Sequence, residues 1–101
     1  MTKRVLVTGS RGLVGRRFCA SLRNDGFSVK ELDLLGRGAN HGDLTRLADI
    51  EAAIQGCAGV VHLAAVSRVV WGQREPDLCW RTNVTGLQNL VHAALAQSSR
   101  P

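Results

Sequence analysis

Three glycines stand at even spacing in Gly9-Ser10-Arg11-Gly12-Leu13-Val14-Gly15, between a short apolar run and a helical pattern. Glycine at such a junction clears side chains from a place where backbone must approach something bulky and charged. A pyrophosphate has that character. A side chain at Gly9 would hinder the tight turn, one at Gly12 would push phosphates away, and one at Gly15 would separate helix from sheet. The N–H groups of Leu13 and Val14 at the helix start are then left to donate to phosphate oxygens, aided by the helix dipole. The spacing is G-x-x-G-x-x-G rather than G-x-G-x-x-G. A tight turn with no ligand is the competing reading, and the strand before and helix after it favour the phosphate turn.

Asp33 is the second residue suited to this chemistry. It closes the next strand pattern, where a carboxylate can accept hydrogen bonds from the adenosine ribose hydroxyls of a dinucleotide. It would also repel a 2′-phosphate, so NAD is favoured over NADP. The alternative for Asp33 is a surface turn. Arg11 and Arg37 stand against the preference for NAD, because either could neutralise a 2′-phosphate.

The elements that must position these residues can be read in order. Val5, Leu6 and Val7 form an apolar run of the kind found in a buried parallel strand. A helix follows to Asn24, with Val14, Phe18 and Leu22 sharing a face with Cys19. Asp25-Gly26 breaks it, and Phe27 to Leu34 reads as a second strand with Phe27, Val29 and Leu32 inward. A brief strand is expected near His41-Gly42. A helix then places Leu47, Ile50 and Ile54 on one face and stops at Gly56. Val60-Val61-His62-Leu63 is a further strand, followed by a loop to Glu75. Pro76 opens a long helix with Trp80, Val84, Leu87, Val91 and Ala94 on its inner stripe. The alternation predicts an α/β fold, a Rossmann-like doubly wound parallel sheet of about four strands. Its switch point lies at the carboxyl ends of the first and fourth strands, where ligands bind in such sheets.

Composition narrows the function classes. The 101 residues suit one domain, and 45% are apolar, enough to bury a core. The net charge is +5, but the arginines are scattered and tyrosine is absent, so a solvated basic surface is favoured over a nucleic-acid site. The same field favours an anionic ligand. Cys19, Cys57 and Cys79 match no metal spacing and read as small buried hydrophobes in a reducing compartment. No apolar run approaches membrane-spanning length, and a strand begins at once after Met1, so the expected compartment is the cytoplasm. Neither metal, membrane nor nucleic acid is an expected partner.

With these motifs in order, the chain resembles the NAD-dependent epimerase/dehydratase branch of the extended short-chain dehydrogenase/reductases. Thr8-Gly9-x-x-Gly12-Leu13-Val14-Gly15 is similar to that family's glycine motif. Asp43-Leu44 resembles the acidic pair beside the adenine, although Asp43 also suits a helix cap. Val61-His62-Leu63-Ala64-Ala65 resembles the segment lining the nicotinamide side, the small alanines letting a flat ring pass close to backbone. Asn83-Val84-x-Gly86-x-x-Asn89-Leu90 is similar to the family's next helix. Asn83 there could bind neighbouring backbone or face solvent. By resemblance Ser67 and Arg68 lie near the substrate. His62 reads as a core histidine, and Trp71 and Trp80 as packing residues.

The resemblance implies a cofactor site of Gly9, Arg11, Gly12, Leu13, Val14, Gly15, Asp33, Asp43, Leu44, Leu63, Ala64, Ala65 and Asn83. It also implies a nucleotide-sugar substrate for the whole protein and leaves a homodimer open. The family's chemistry uses a Tyr-x-x-x-Lys pair, and this chain has no tyrosine, so no catalytic residue is expected within it. Ser98 to Pro101 falls where the family enters its fifth strand, so residues 1–101 are expected to be one domain truncated there. The function expected is the cofactor-binding part of an oxidoreductase or epimerase. A non-catalytic dinucleotide sensor is the alternative.

Overall fold

The computed structural model describes residues 3–64 and 74–97. Strand β1 (Arg4–Thr8) lies at the centre of a three-stranded sheet, between β2 (Ser28–Leu32) and β3 (Gly59–His62). All pairings are parallel, and the register sets Thr8 opposite both Leu32 and His62. The carboxyl ends of the three strands therefore finish level, which is what a shared site at that edge requires. The brief strand expected near His41-Gly42 is reduced to one bridge between Asp33 and His41. With Gly36 and Gly38 just before it, the chain turns through a 3-10 segment (Gly38–Asn40) instead of extending.

Parallel strands need helical crossovers, and these cover both faces. Helix α1 (Leu13–Asn24) joins β1 to β2 on the face of Val7. Helix α2 (Leu47–Ala53) joins β2 to β3 on the face of Leu6. After Pro76 come α3 (Pro76–Trp80), a π-helical segment (Arg81–Thr85) and α4 (Gly86–Leu95). The core lies on the Leu6 face, where Leu6, Leu32, Leu44, Ile50, Ala53, Ile54, Cys57, Leu90 and Ala93 pack together. Gly56 ends α2 with φ +73°, as its type predicts. No helix among the described residues is long and apolar enough to cross a membrane.

Three expectations need correction. The buried face of α1 is Gly15 and Cys19 with Leu22 half-buried, while Val14 and Phe18 are exposed. Gly15 sets this rotation, because it presses against the carbonyl of Gly9 where only a hydrogen fits. The stripe of α4 is Gly86, Leu90 and Ala93, while Trp80, Leu87 and Val91 face outward. The π turn before α4 shifts the helical phase, and Gly86 gives the Leu44 side chain room to pack. Strand β2 is shorter than expected, with Phe27 and Leu34 exposed at either end. The loop containing Ala65, Ser67, Arg68 and Trp71 lies outside the described residues.

Candidate functional site: a dinucleotide cradle at the strand ends

The site begins where β1 stops. Gly9 adopts φ +72°, a conformation that L side chains rarely take, and a Cβ there would come within 2.7 Å of the Ala64 nitrogen. The turn thus lies flat on the end of β3. Its chain is tied by Gly9 N–H to the Leu32 carbonyl (2.9 Å) and by Gly12 N–H to the Gly9 carbonyl (3.1 Å). Gly12 precedes α1 in extended backbone and offers no side-chain cap. The first-turn N–H groups of Leu13, Val14 and Gly15 have no acceptor within the helix. No acidic residue stands in that turn to offset the dipole. A Cβ at Gly12 would meet only the Gly9 oxygen, at 3.3 Å, and the residue is exposed. The cradle therefore has uncapped donors, open access and positive polarity, which fit a pyrophosphate. Arg16 Nε donates to the Arg11 carbonyl (3.1 Å) and braces the loop from outside.

Asp33 is fastened to this turn rather than free on the surface. Its carboxylate accepts the Arg11 N–H (2.9 Å) and the Leu35 N–H (2.8 Å). Its own N–H donates to the Asn40 carbonyl and its carbonyl accepts from Gly36 and Gly42. A carboxylate oxygen carries two lone-pair sites, so each oxygen keeps acceptor capacity after these bonds. The acid is thereby held half-buried beside the glycine turn, oriented to receive hydroxyl donors.

Asp43 and Leu44 lie on the Leu6 face, next to α2. Asp43 does not cap α2, whose N-cap is Arg46 with no side-chain hydrogen bond. Its carboxylate instead accepts from the Thr45 N–H (2.9 Å) and hydroxyl (2.7 Å), an Asx turn. Burial works to raise the carboxyl pKa. The Thr45 hydrogen bonds and the nearby Arg46 and Arg81 outweigh it and hold Asp43 below its ordinary value. Asp49 reaches back to accept the Asp43 N–H (2.9 Å), and Asn89 donates to the Leu44 carbonyl (3.0 Å). Asn89 thus ties α4 to the Asp43–Leu44 segment. Its long-range role carries no local pattern.

The end of β3 is held by Thr8. The Leu63 N–H is shared between the Thr8 carbonyl (3.0 Å) and the buried Thr8 hydroxyl oxygen (3.1 Å), which also accepts the Ala64 N–H (3.3 Å) and lies 2.7 Å from His62 Nδ1. Leu63 is exposed and Ala64 half-buried. Asn83 lies in the π-helical segment, half-buried, with its amide donating to Cys79 Sγ (3.4 Å). The glycine turn, Asp33 and Ala64 form one continuous edge. Leu44 is joined to it through the core that it shares with Leu32.

A model of the NAD dependent epimerase/dehydratase family matches residues 5–100. The chain belongs to that family. Among curated relatives, 2-alkyl-3-oxoalkanoate reductase of Shewanella oneidensis is 35% identical over 98 residues, covering 89% of this chain and 24% of the relative. A short-chain dehydrogenase/reductase superfamily protein from Agrobacterium tumefaciens, solved with bound NAD, is 36% identical. Its TM-score is 0.79, over 90% of this chain and 28% of that one. Thermus thermophilus UDP-glucose 4-epimerase in complex with NAD is 31% identical with TM-score 0.80, over 90% and 33%. The chain thus spans about a quarter of the length of the curated relatives it matches, 24% and 28% for two of them.

Proposed function

We propose that the chain is the NAD-binding part of an epimerase/dehydratase-type oxidoreductase, as one domain over residues 1–101, with a nucleotide-linked sugar as the substrate of the whole protein. The uncapped N-terminus of α1 beside a fixed Asp33 carries the reading. Gly9, Gly12 and Gly15 shape the turn, with Arg11 at its tip. The N–H groups of Leu13 and Val14 hold the pyrophosphate. Asp33 receives the ribose hydroxyls. Asp43 and Leu44 bound the adenine side. Leu63, Ala64, Ala65 and Asn83 bound the nicotinamide side. NAD, when bound, supplies a carbon that accepts or returns hydride. This chain's residues bind and orient it. They include no tyrosine to move a proton at the substrate. Support for the sugar comes from the similarity to UDP-glucose 4-epimerase and to MoeE5, solved with UDP-glucuronic acid and NAD.

The cofactor preference is testable by calorimetry with both dinucleotides. Asp33→Ala is expected to weaken NAD by about tenfold, the loss of roughly one charge-assisted hydrogen bond, and to leave NADP equal or tighter. Equal losses for both cofactors would remove Asp33 from the ribose role.

A further inference from the structure

Asn89 is half-buried on α4, and its side-chain amide donates to the Leu44 carbonyl at 3.0 Å. That carbonyl and the Thr45 N–H belong to one planar peptide group, so fixing one end fixes the other. At the far end, the Thr45 N–H donates to Asp43 Oδ1 (2.9 Å), and the Thr45 hydroxyl donates to the same oxygen (2.7 Å). Asn89 therefore acts on the Asp43 carboxylate through a single rigid group. Gly86, just under a turn earlier on α4, brings the helix directly onto this segment: a Cβ there would fall 2.9 Å from Leu44 Cβ. From the α2 side, Asp49 holds the Asp43 N–H (2.9 Å). Both Thr45 bonds fall on Oδ1. Among the described residues, nothing donates to Asp43 Oδ2 and the Leu44 N–H has no acceptor. An acceptor beside a donor suits the edge of adenine, which sets an amino donor beside a ring-nitrogen acceptor.

We propose that Asn89 is a positioning residue for base recognition, holding the Asp43 carboxylate in register with adenine through the Leu44–Thr45 peptide. The proposal rests on the dinucleotide reading above, which sets Asp43 and Leu44 on the adenine side, and it names what orients them. A carboxylate on a short side chain can swing about its own bonds. Thr45 restrains that swing only if its peptide stands still, and the Asn89 amide is the one described donor to that peptide's carbonyl. Without it, the peptide is free to tilt, carrying Oδ1 and the opposite oxygen with it.

The test compares NAD with nicotinamide hypoxanthine dinucleotide by calorimetry on the chain. Hypoxanthine reverses the edge, with a carbonyl where adenine has its amino group and an N–H where adenine has a ring nitrogen. Wild type should bind NAD about tenfold more tightly than the hypoxanthine form. Asn89→Leu keeps the size and removes the donor, and should cut that preference to about threefold or less. Asp43→Ala should abolish the preference, and adding Asn89→Leu to it should change the ratio no further. The ratio is the deciding quantity, because a change that merely loosens the fold lowers both affinities alike. Full preference in Asn89→Leu would overturn the proposal and leave the dinucleotide site standing. Equal binding of the two dinucleotides by wild type would also overturn it, by removing Asp43 from the base. Binding of neither would remove both readings. If Asn89→Leu does not fold, NMR of wild type decides: the Asn89 side-chain amide signals should shift more with NAD than with the hypoxanthine form. An equal response to both would overturn the proposal.

Discussion

The two faces of the sheet are built to different standards. On the Leu6 face, Leu6, Ile50, Ile54 and Ala93 are fully buried, and Leu44, Leu90 and Cys57 nearly so. On the Val7 face α1 alone packs among the described residues, and it buries Gly15 and Cys19 while Leu13, Val14 and Phe18 stay exposed. The strands between are shared. The difference separates two tasks. The packed face fixes the strand ends and, through Asn89 and Leu44, the segment beside α2. The thin face carries the phosphate turn, where small residues and open donors matter more than apolar area.

Substitutions on the two faces should therefore differ in kind, and denaturant unfolding can rank them. Ile50→Ala removes a fully buried side chain from the packed face and should cost about 3 kcal/mol. A loss below about 1 kcal/mol would mean that the packed face is no tighter than the other. Asp43→Ala deletes the acceptor of two Thr45 hydrogen bonds and should cost about 1–2 kcal/mol at neutral pH. Because the Asp43 pKa is held low, its contribution is present above the ordinary aspartate range and lost as pH falls through the folded value. The variant should accordingly show a shallower loss of stability in acid than wild type. An unchanged acid limb would detach Asp43 from that dependence. Phe18→Ser, on the thin face, should cost less than about 1 kcal/mol. A cost matching Ile50→Ala would show that the exposed side of α1 is as well packed as the core.

The same contrast explains what could be read from residue order. The glycine turn, β1, β3 and α2 were legible because each is coded locally: an apolar run, a spacing of glycines, a period of apolar residues. The buried faces of α1 and α4 were not. Apolar periodicity marks every nonpolar stripe alike, and two backbone contacts chose between them: Gly15 against Gly9, and Gly86 against Leu44. The π turn at Arg81–Thr85 added a phase shift that no residue type announces. At the site, residue types marked Asp33, but its bond to the Arg11 N–H reaches across α1 and β2 and exists only once β1 and β2 align. His62 shows the same limit. Its polarity inside an apolar strand is visible, whereas the Thr8 hydroxyl that it meets comes from a different strand.

Calorimetric titration of NAD into wild type and Gly12→Val tests the cradle most directly. The backbone at Gly12 (φ −72°, ψ 172°) suits any L residue and its Cβ would press on the Gly9 oxygen alone, at 3.3 Å, so the variant should fold with at most a modest drop in unfolding temperature. Its added side chain occupies the space meant for phosphate. Saturable NAD binding by wild type with no detectable heat from Gly12→Val is the expected result. Equal affinity in the two proteins would contradict it, and with it the assignment of the α1 N-terminus to a diphosphate.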